Sequence, residues 1–150
     1  MSNVRLMEER DISRLVEMGA QAHAESEYRL INYDREKATS LCRRALVGNG
    51  VVCLVCCRDE AILGVLVAEA YEPYFSHERV ASDLFVYVLP EHRGGRAFVL
   101  LVWSYIGWAK RISAKLIFLR TSTGIKPKQT SDLYRRLGFA EIGGIYRMEV

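Results

Sequence analysis

The sequence predicts a single α/β or α+β domain over residues 1–150. Strand-like and helical hydrophobic patterns alternate in its second half, in the order strand, helix, strand, helix. The length of 150 residues suits one domain with one core, and neither a linker nor an internal repeat divides it. Half of the residues are hydrophobic and 26% are charged, which is typical of a folded globular protein.

The first half of the chain predicts a strand and two helices. Residues 4–7 form a short apolar run that indicates the first strand. Asp11 precedes a helical spacing of apolar residues that should continue to about residue 23 or 25, with a polar loop over residues 25–28. Asp34 is expected to cap a second helix, which ends at the Gly-Asn-Gly of residues 48–50.

Strands and helices then alternate. Two β-rich runs, residues 51–57 and 62–71, are joined by a short polar connection and predict a hairpin. The next strand, residues 84–89, is apolar on both faces and is expected to be central in its sheet. The remaining expectations are a helix over 97–110, a strand over 115–120, a helix over 131–137 closed by Gly138, and strand signals over 139–150.

Composition argues against several classes of protein. The net charge of +3 is spread along the chain, without the basic stripe typical of nucleic-acid binding, so no nucleic-acid partner is expected. The uncharged stretch of residues 97–109, which no other exceeds in length, is shorter than the about 20 residues that span a bilayer. The N-terminus also lacks the apolar segment of a signal peptide. We therefore expect a cytoplasmic protein without a membrane partner.

The cysteines and histidines do not predict a metal site. Cys53 and Cys56 have the spacing of a zinc or redox pair, but a strand places residues three apart on opposite faces. No second pair follows at ligand spacing, and the three histidines are scattered. Buried small side chains on a strand are the favoured interpretation, and no metal is expected.

A glycine turn, residues 93–98, joins the strand 84–89 to the following long helix. The sequence there is Arg-Gly-Gly-Arg-Ala-Phe. Glycines allow the backbone to approach an anion, and a helix start offers unpaired N–H groups and the positive end of the macrodipole. The segment lacks the patterns of dinucleotide folds and of nucleoside-triphosphate loops. It therefore indicates a phosphate site, with a plain turn and solvated arginines as the alternative.

Two segments resemble the GNAT family of N-acetyltransferases. Residues 90–97, Pro-Glu-His-Arg-Gly-Gly-Arg-Ala, resemble its pyrophosphate-binding motif, with Arg93 at the first position. Residues 133–139, Leu-Tyr-Arg-Arg-Leu-Gly-Phe, resemble its late helix. The resemblance covers essentially the whole chain, and with Ala-His-Ala-Glu-Ser-Glu-Tyr at 22–28 it looks like bacteriophage-type members. Arg96 and Phe98 stand where small residues are usual.

The resemblance implies a fold and a cofactor. The fold is a mixed, mostly antiparallel twisted sheet with helices on both faces, and its fourth and fifth strands splay apart. Acetyl-CoA is the implied co-substrate, bound along the fourth strand and, mostly through backbone N–H groups, at the glycine turn. The implied cofactor-binding residues are Val86, Tyr87, Val88, Arg93, Gly94, Gly95, Arg96, Ala97 and Phe98.

The implied reaction is direct transfer of the acetyl group to a primary amine, either a small molecule or a protein amino group. An alkylammonium ion of pKa about 10.4 must first lose a proton, so a carboxylate, or a water held by one, is needed. Asp83 is preferred for this over Glu69 and Glu72. Tyr134 occupies the position of the family's tyrosine that protonates the leaving thiolate. Glu25, Tyr28 and Glu72 are expected near the acceptor.

Two other functions stay open. A catalytically silent acetyl-CoA-binding module, regulatory or virion-associated, is compatible with the bulky Arg96 and Phe98 in the glycine turn. An RNA-binding α/β domain is weaker, because the strand 84–89 carries no basic residue. The helix over 97–110 is apolar nearly all round, so its aromatic residues are expected in the core or in a homodimer interface.

Overall fold

The computed structural model describes all of residues 1–150, which form one five-stranded sheet and four α-helices. The strands are β1 Ser2–Leu6, β2 Val51–Arg58, β3 Ala61–Tyr71, β4 Val80–Val88 and β5 Leu116–Phe118. The helices are α1 Ile12–Glu25, α2 Arg35–Val47, α3 Ala97–Arg111 and α4 Pro127–Arg136. The strands lie in the order of the sequence; β1 to β4 pair antiparallel, and β5 pairs parallel with β4. The predicted mixed, mostly antiparallel sheet is confirmed.

Helices cover both faces of the sheet, as predicted. Successive strand residues point to opposite faces, so apolar side chains on each face form a core with the helices that cover it. On one face, α1 and α2 bury Met18 against Val55 and its neighbours. On the other, α3 buries Leu101 and Tyr105 against Leu66. No helix combines the length and apolar character needed to cross a membrane.

The cysteines follow the same alternation. Cys53 and Cys57 belong to the core on one face, and Cys56 to the core on the other. All four cysteines are buried and free. The interpretation of the Cys53–Cys56 spacing as a strand rather than a ligand pair therefore agrees with the structure.

The pairing of β4 defines the region where a site can form. Ser82 pairs with Phe118 of β5, and no later residue of β4 has a partner on that side. On the other side, Asp83 pairs with Ala68 and Phe85 pairs with Val67, so Leu84 is an extra residue that makes a β-bulge. Beyond Ser82, therefore, β4 and β5 part, and one edge of β4 is left unpaired.

Asp11 occupies the N-cap position of α1, as predicted, but its side chain makes no capping hydrogen bond to that helix. The Asp11 carboxylate accepts the Glu8 N–H at 2.8 Å and two hydrogen bonds from Arg5 at 2.7 and 3.0 Å. It closes the short 3-10 turn Glu9–Asp11 and ties it to β1. The cap at Asp34 is confirmed, since its carboxylate accepts two backbone N–H groups of α2.

Several element boundaries differ from the prediction. β4 begins at Val80 rather than at residue 84, and it is next to the last strand rather than central. Its polar Ser82 and Asp83 weaken the local strand pattern, but pairing with β3 overrides that preference. β5 is three residues long, and α4 begins earlier than predicted, with Pro127 in its first turn.

Two further local predictions are corrected. The first helix ends at Glu25, as predicted, but the 3-10 turn Glu27–Leu30 follows it in place of the predicted loop. The strand expected over residues 139–150 does not form, because no neighbouring strand of the chain pairs with it.

The packing of α3 on the sheet predicts a stability effect. Leu101 is fully buried and lies over Gly64, where an added Cβ would come within 3.2 Å of its side chain. Leu101→Ala should lower the free energy of unfolding by about 2–5 kcal/mol, because it leaves a cavity. Urea denaturation measures this loss. The exposed Lys110→Ala on the same helix should change stability by less than about 0.5 kcal/mol, and equal losses would contradict the packing.

Candidate active site

The parting of β4 and β5 opens a cleft of about 430 Å³. One wall is formed by β4 from Asp83 to Val88 and by the glycine turn that follows it. The other is formed by residues 120–126 and by the first turns of α4. The cleft thus brings together two segments that the sequence pattern alone assigns to separate motifs.

The glycine turn presents a row of free backbone donors. The six consecutive N–H groups of residues 94–99 donate no hydrogen bond to the protein. Gly94 has a φ of +81°, a conformation that glycine adopts without strain. Because α3 begins at Ala97, its macrodipole adds positive potential at the same place. This arrangement suits a bound anion such as a diphosphate.

The unpaired edge of β4 adds further backbone groups. The Leu89 N–H bonds to the Leu63 carbonyl on the β3 side, whereas the Val88 carbonyl accepts Arg93 Nε at 3.0 Å on the other side. Both backbone groups of a strand residue point to the same side, and the sides alternate along the strand. The N–H groups of Val86 and Val88 therefore face the cleft. The main chain of Tyr87 faces β3, and Tyr87 lines the cleft with its side chain only.

Arg93 and Glu25 contact each other across the end of α1. The Arg93 guanidinium donates to both Glu25 oxygens at 2.8 and 2.9 Å and lies 5.3 Å from the centre of the Tyr87 ring. The Tyr87 hydroxyl donates to Glu25 Oε1 at 2.7 Å. The hydrogen bonds from Arg93 hold the pKa of Glu25 below its ordinary value, and burial raises the pKa of Tyr87 to about 12. This three-residue group fixes the start of the glycine turn.

The other residues of the turn divide between two surfaces. Ala97 is buried in the core, and Phe98 lines the cleft with its ring stacked on Tyr134 at a centroid distance of 5.9 Å. Arg96 lines a separate hollow of about 620 Å³ on the other side of the turn, beside Arg58. The Phe98 ring thus packs into the cleft wall against an aromatic neighbour.

Asp83 and Tyr134 are both held by the main chain of Arg120. Asp83 is 6% exposed and accepts the Arg120 N–H at 3.1 Å, while the Tyr134 hydroxyl donates to the Arg120 carbonyl at 2.9 Å. Burial raises the pKa of Asp83 to about 6, against the opposing charge of Arg120. Burial also raises the pKa of Tyr134 above its ordinary value. A carboxylate that titrates near neutrality and a protonated phenol therefore line the same cleft.

Sequence reasoning missed Arg120. Its guanidinium donates a hydrogen bond to Ser82 Oγ at 2.7 Å, in addition to the hydrogen bonds that its main-chain N–H and carbonyl make with Asp83 and Tyr134. The only sequence signal was a basic residue at the end of an apolar strand. Thr123, Lys126 and Gln129 also line the cleft, and no sequence pattern predicted them there.

The residues predicted near the acceptor lie apart from one another. Tyr28 is half exposed on the 3-10 turn after α1, and Glu72 follows β3 with its Oε2 3.5 Å from His77 Nδ1. Neither lines the cleft, and Glu25 lies behind Tyr87 and Arg93. The turn carrying Tyr28 still reaches the far wall, because the Glu27 N–H bonds to the Thr123 carbonyl at 2.7 Å. No three His, Cys, Asp or Glu side chains are grouped to hold a metal ion.

Three solved structures show the breadth of the structural similarity. A ribosomal-protein-alanine N-acetyltransferase from Brucella melitensis is 18% identical, with 100% of this chain and 99% of that chain covered and a TM-score of 0.74. An aminoglycoside antibiotic 6′-N-acetyltransferase from Acinetobacter haemolyticus is 17% identical, with 99% and 97% covered and a TM-score of 0.75. A predicted acetyltransferase from Clostridium acetobutylicum, solved with acetyl-CoA, is 20% identical, with 99% and 96% covered and a TM-score of 0.75. These similarities establish the fold.

Sequence comparison establishes the family. No curated protein matches the chain significantly. The sequence profile of the acetyltransferase (GNAT) family matches residues 16–139, which include the glycine turn, both walls of the cleft and Tyr134. With this match over most of its length, the chain belongs to the acetyltransferase (GNAT) family.

Proposed function

We propose that this protein transfers an acetyl group from acetyl-CoA to a primary amine by direct attack. The observation that carries the proposal is the convergence of three features in one cleft. They are the free N–H groups of residues 94–99, the unpaired edge of β4, and the Asp83–Tyr134 pair bonded to the main chain of Arg120.

The residues present fit acetyl-CoA as the donor. The N–H groups of the glycine turn would hold its diphosphate, and Arg93 supports them by fixing the turn to Val88 and Glu25. Val86 and Val88 would pair with the amides of the pantetheine arm, as an added strand would. One of these N–H groups would also stabilise the thioester oxygen as it gains negative charge.

The proton transfers follow from the two shifted pKa values. Asp83 takes a proton from the ammonium group, either directly or through a water molecule, and the amine nitrogen then attacks the thioester carbonyl carbon. A C–N bond forms, the C–S bond breaks, and Tyr134 gives its proton to the departing thiolate. The nitrogen gives its second proton to the Tyr134 oxygen, directly or through a water molecule, which leaves a neutral amide and restores the phenol. The raised pKa makes Asp83 a stronger base than a free carboxylate, and Tyr134 is protonated and so still carries the proton it would donate. The Tyr134 hydroxyl must turn away from the Arg120 carbonyl to do this.

The acceptor is proposed only as an amine. The Brucella and Acinetobacter proteins carry names that indicate a protein and an aminoglycoside acceptor, so the similarity to them supports both classes. Glu25, Tyr28 and Glu72 stay predictions for acceptor binding. The bacteriophage-type subclass likewise stays a prediction.

A catalytically silent acetyl-CoA-binding module is the second candidate. The observation that favours it is the Tyr134 hydroxyl, which is already bonded to a carbonyl and stacked on Phe98. Calorimetry with acetyl-CoA and a thiol-release assay over small amines and peptide N-termini separate the candidates. Binding with thiol release supports the enzyme, and binding without release supports the silent module. Absence of binding contradicts both.

Glycine 94 tests the diphosphate site. Gly94→Ala should weaken acetyl-CoA binding about 5- to 30-fold. An alanine held in the left-handed conformation that orients the N–H groups of the turn costs about 1–2 kcal/mol. The matched control is Gly48→Ala, at a φ of +90° with nothing within 4 Å, just as at Gly94. Calorimetry should show unchanged affinity for the control, and a similar loss in both variants would contradict the assignment.

The pH profile tests Asp83. Because its pKa is about 6, Asp83 is protonated at lower pH and cannot accept a proton, so kcat/KM should fall tenfold per pH unit below about 6. Asp83→Asn should lower kcat/KM about 10²-fold and remove that limb. Glu69→Gln, whose side chain lies 3.9 Å from Arg44 outside the cleft, should keep it. Survival of the limb in Asp83→Asn would assign it to another group.

Tyr134 has a closely matched control on α3. Tyr134→Phe should lower kcat about 10²-fold, as expected for loss of a general acid, with acetyl-CoA affinity unchanged. Tyr105→Phe removes a buried hydroxyl that bonds to the nearby Phe118 carbonyl at 3.1 Å but does not line the cleft. It should lose stability while keeping kcat. Steady-state kinetics and calorimetry on both variants test this, and equal kcat values would exclude Tyr134 from the chemistry.

A further inference from the structure

Arg120, just after β5, carries a charge that the protein does not neutralise. Two arginines line the cleft, and the other one, Arg93, is paired with Glu25 at 2.8 Å. Arg120 takes part in no ion pair, and its guanidinium donates one hydrogen bond, at 2.7 Å, to the uncharged Ser82 hydroxyl. The residue is exposed, so its other N–H donors can reach a bound molecule. A guanidinium in this state suits a carboxylate, which it can bind through two parallel hydrogen bonds.

The guanidinium lies close to the proposed reacting groups but on the other face of the sheet. Ala81 packs against α3, so by alternation Ser82 points to the face of α1 and α2, and Asp83 to the α3 face. Glu69 pairs with Ser82 across β3 and β4, and its side chain lies 3.9 Å from an arginine of α2, which agrees with this assignment. The Arg120 guanidinium and the Asp83 carboxylate are therefore separated by the thickness of one strand.

The donor proposed above does not reach this charge with its phosphates. Its diphosphate would lie at the glycine turn, beyond the far end of β4. Ser82 and Val88 are separated by roughly 20 Å of extended strand. The end of the donor that would come near Arg120 is its thioester, which carries no charge before the attack. The molecule that meets Arg120 is therefore the acceptor.

We propose that the acceptor is an amine that also carries a carboxylate, as an amino acid does, and that Arg120 binds this carboxylate. The inference rests on the proposed acetyl transfer, in which Asp83 faces the ammonium group. An amino acid is a zwitterion at neutral pH, so each of its charges would meet the opposite charge. Its amine would enter between β4 and β5, which part after Ser82, and its carboxylate would stay on the face of α1 and α2.

The charges of the cleft argue against a polycationic acceptor. The charged side chains that line it are Asp83, Arg93, Arg120 and Lys126. Because Glu25 neutralises Arg93, two cations remain against one carboxylate. An aminoglycoside carries several ammonium groups, which these cations would repel. A peptide N-terminus carries one ammonium group but no carboxylate beside it, which would leave Arg120 unpaired.

A matched pair of acceptors tests the role of the carboxylate. Thiol release from acetyl-CoA is measured with free amino acids and with the amides of the same amino acids, in which a neutral carboxamide replaces the carboxylate. We expect kcat/KM to be about 10- to 100-fold higher for the acids, as hydrogen bonds to a charged group provide. The comparison is stringent, because the amine of the amide is the weaker base and is more often in the neutral form that attacks.

Arg120→Gln should abolish this preference, so that the ratio of kcat/KM for acid and amide falls to about one or below. The hydrogen bonds to Asp83 and Tyr134 come from the main chain of Arg120 and survive the substitution. Loss of the cation also raises the pKa of Asp83, but that change affects both acceptors alike, so the ratio isolates carboxylate binding. Arg44→Gln removes an arginine on the same face that is paired with Glu69, and it should leave the ratio unchanged.

The outcomes separate this inference from the proposed function. If amides, peptides or aminoglycosides release thiol as fast as the acids do, the inference fails and acetyl transfer stands. The same holds if the preference survives in Arg120→Gln, or if Arg44→Gln loses it equally. If no amine releases thiol, the proposed function is contradicted and the inference falls with it.

Discussion

The candidate site depends on the end of pairing between β4 and β5 at Ser82. β5 has only three paired residues, and the bulge at Leu84 changes the course of β4 directly afterwards. A continuous sheet would bury the edge of β4 and close the cleft. Because the strands part, Val86 and Val88 keep free backbone N–H groups. Asp83 lies buried where the two strands separate. The sheet irregularity and the chemistry therefore have one cause.

Two arginines stabilise the walls on either side of this opening. Arg93 joins the glycine turn to the end of β4 and to α1, through Val88 and Glu25. Arg120 joins the end of β5 to Ser82 and Asp83 on β4. Its carbonyl accepts a hydrogen bond from the hydroxyl of Tyr134 on α4. The second contact places a buried carboxylate and a buried phenol on the main chain of the same residue. Burial shifts both pKa values upward, so Asp83 is a stronger base than a free carboxylate and Tyr134 stays protonated.

Features coded by short stretches of sequence were predictable. The cap at Asp34, the hairpin of β2 and β3, the glycine turn and the Gly138 stop each follow from a few neighbouring residues. Features that depend on distant partners were not. The early start of β4 needs β3, the Glu25–Arg93 ion pair joins residues 68 positions apart, and the role of Arg120 appears only when β4 and α4 lie beside it. The strand expected over residues 139–150 was wrong, because a strand forms only where another strand pairs with it and none in the chain does.

The proposed function requires that free main-chain N–H groups in the cleft bind the donor. An amide NMR titration with acetyl-CoA measures this most directly. The N–H signals of residues 94–99, together with those of Val86 and Val88, should move downfield and exchange more slowly with solvent as they gain acceptors. If the largest changes occur instead in the hollow beside Arg58 and Arg96, or if no N–H signal of the glycine turn moves at saturation, the proposed donor site is wrong.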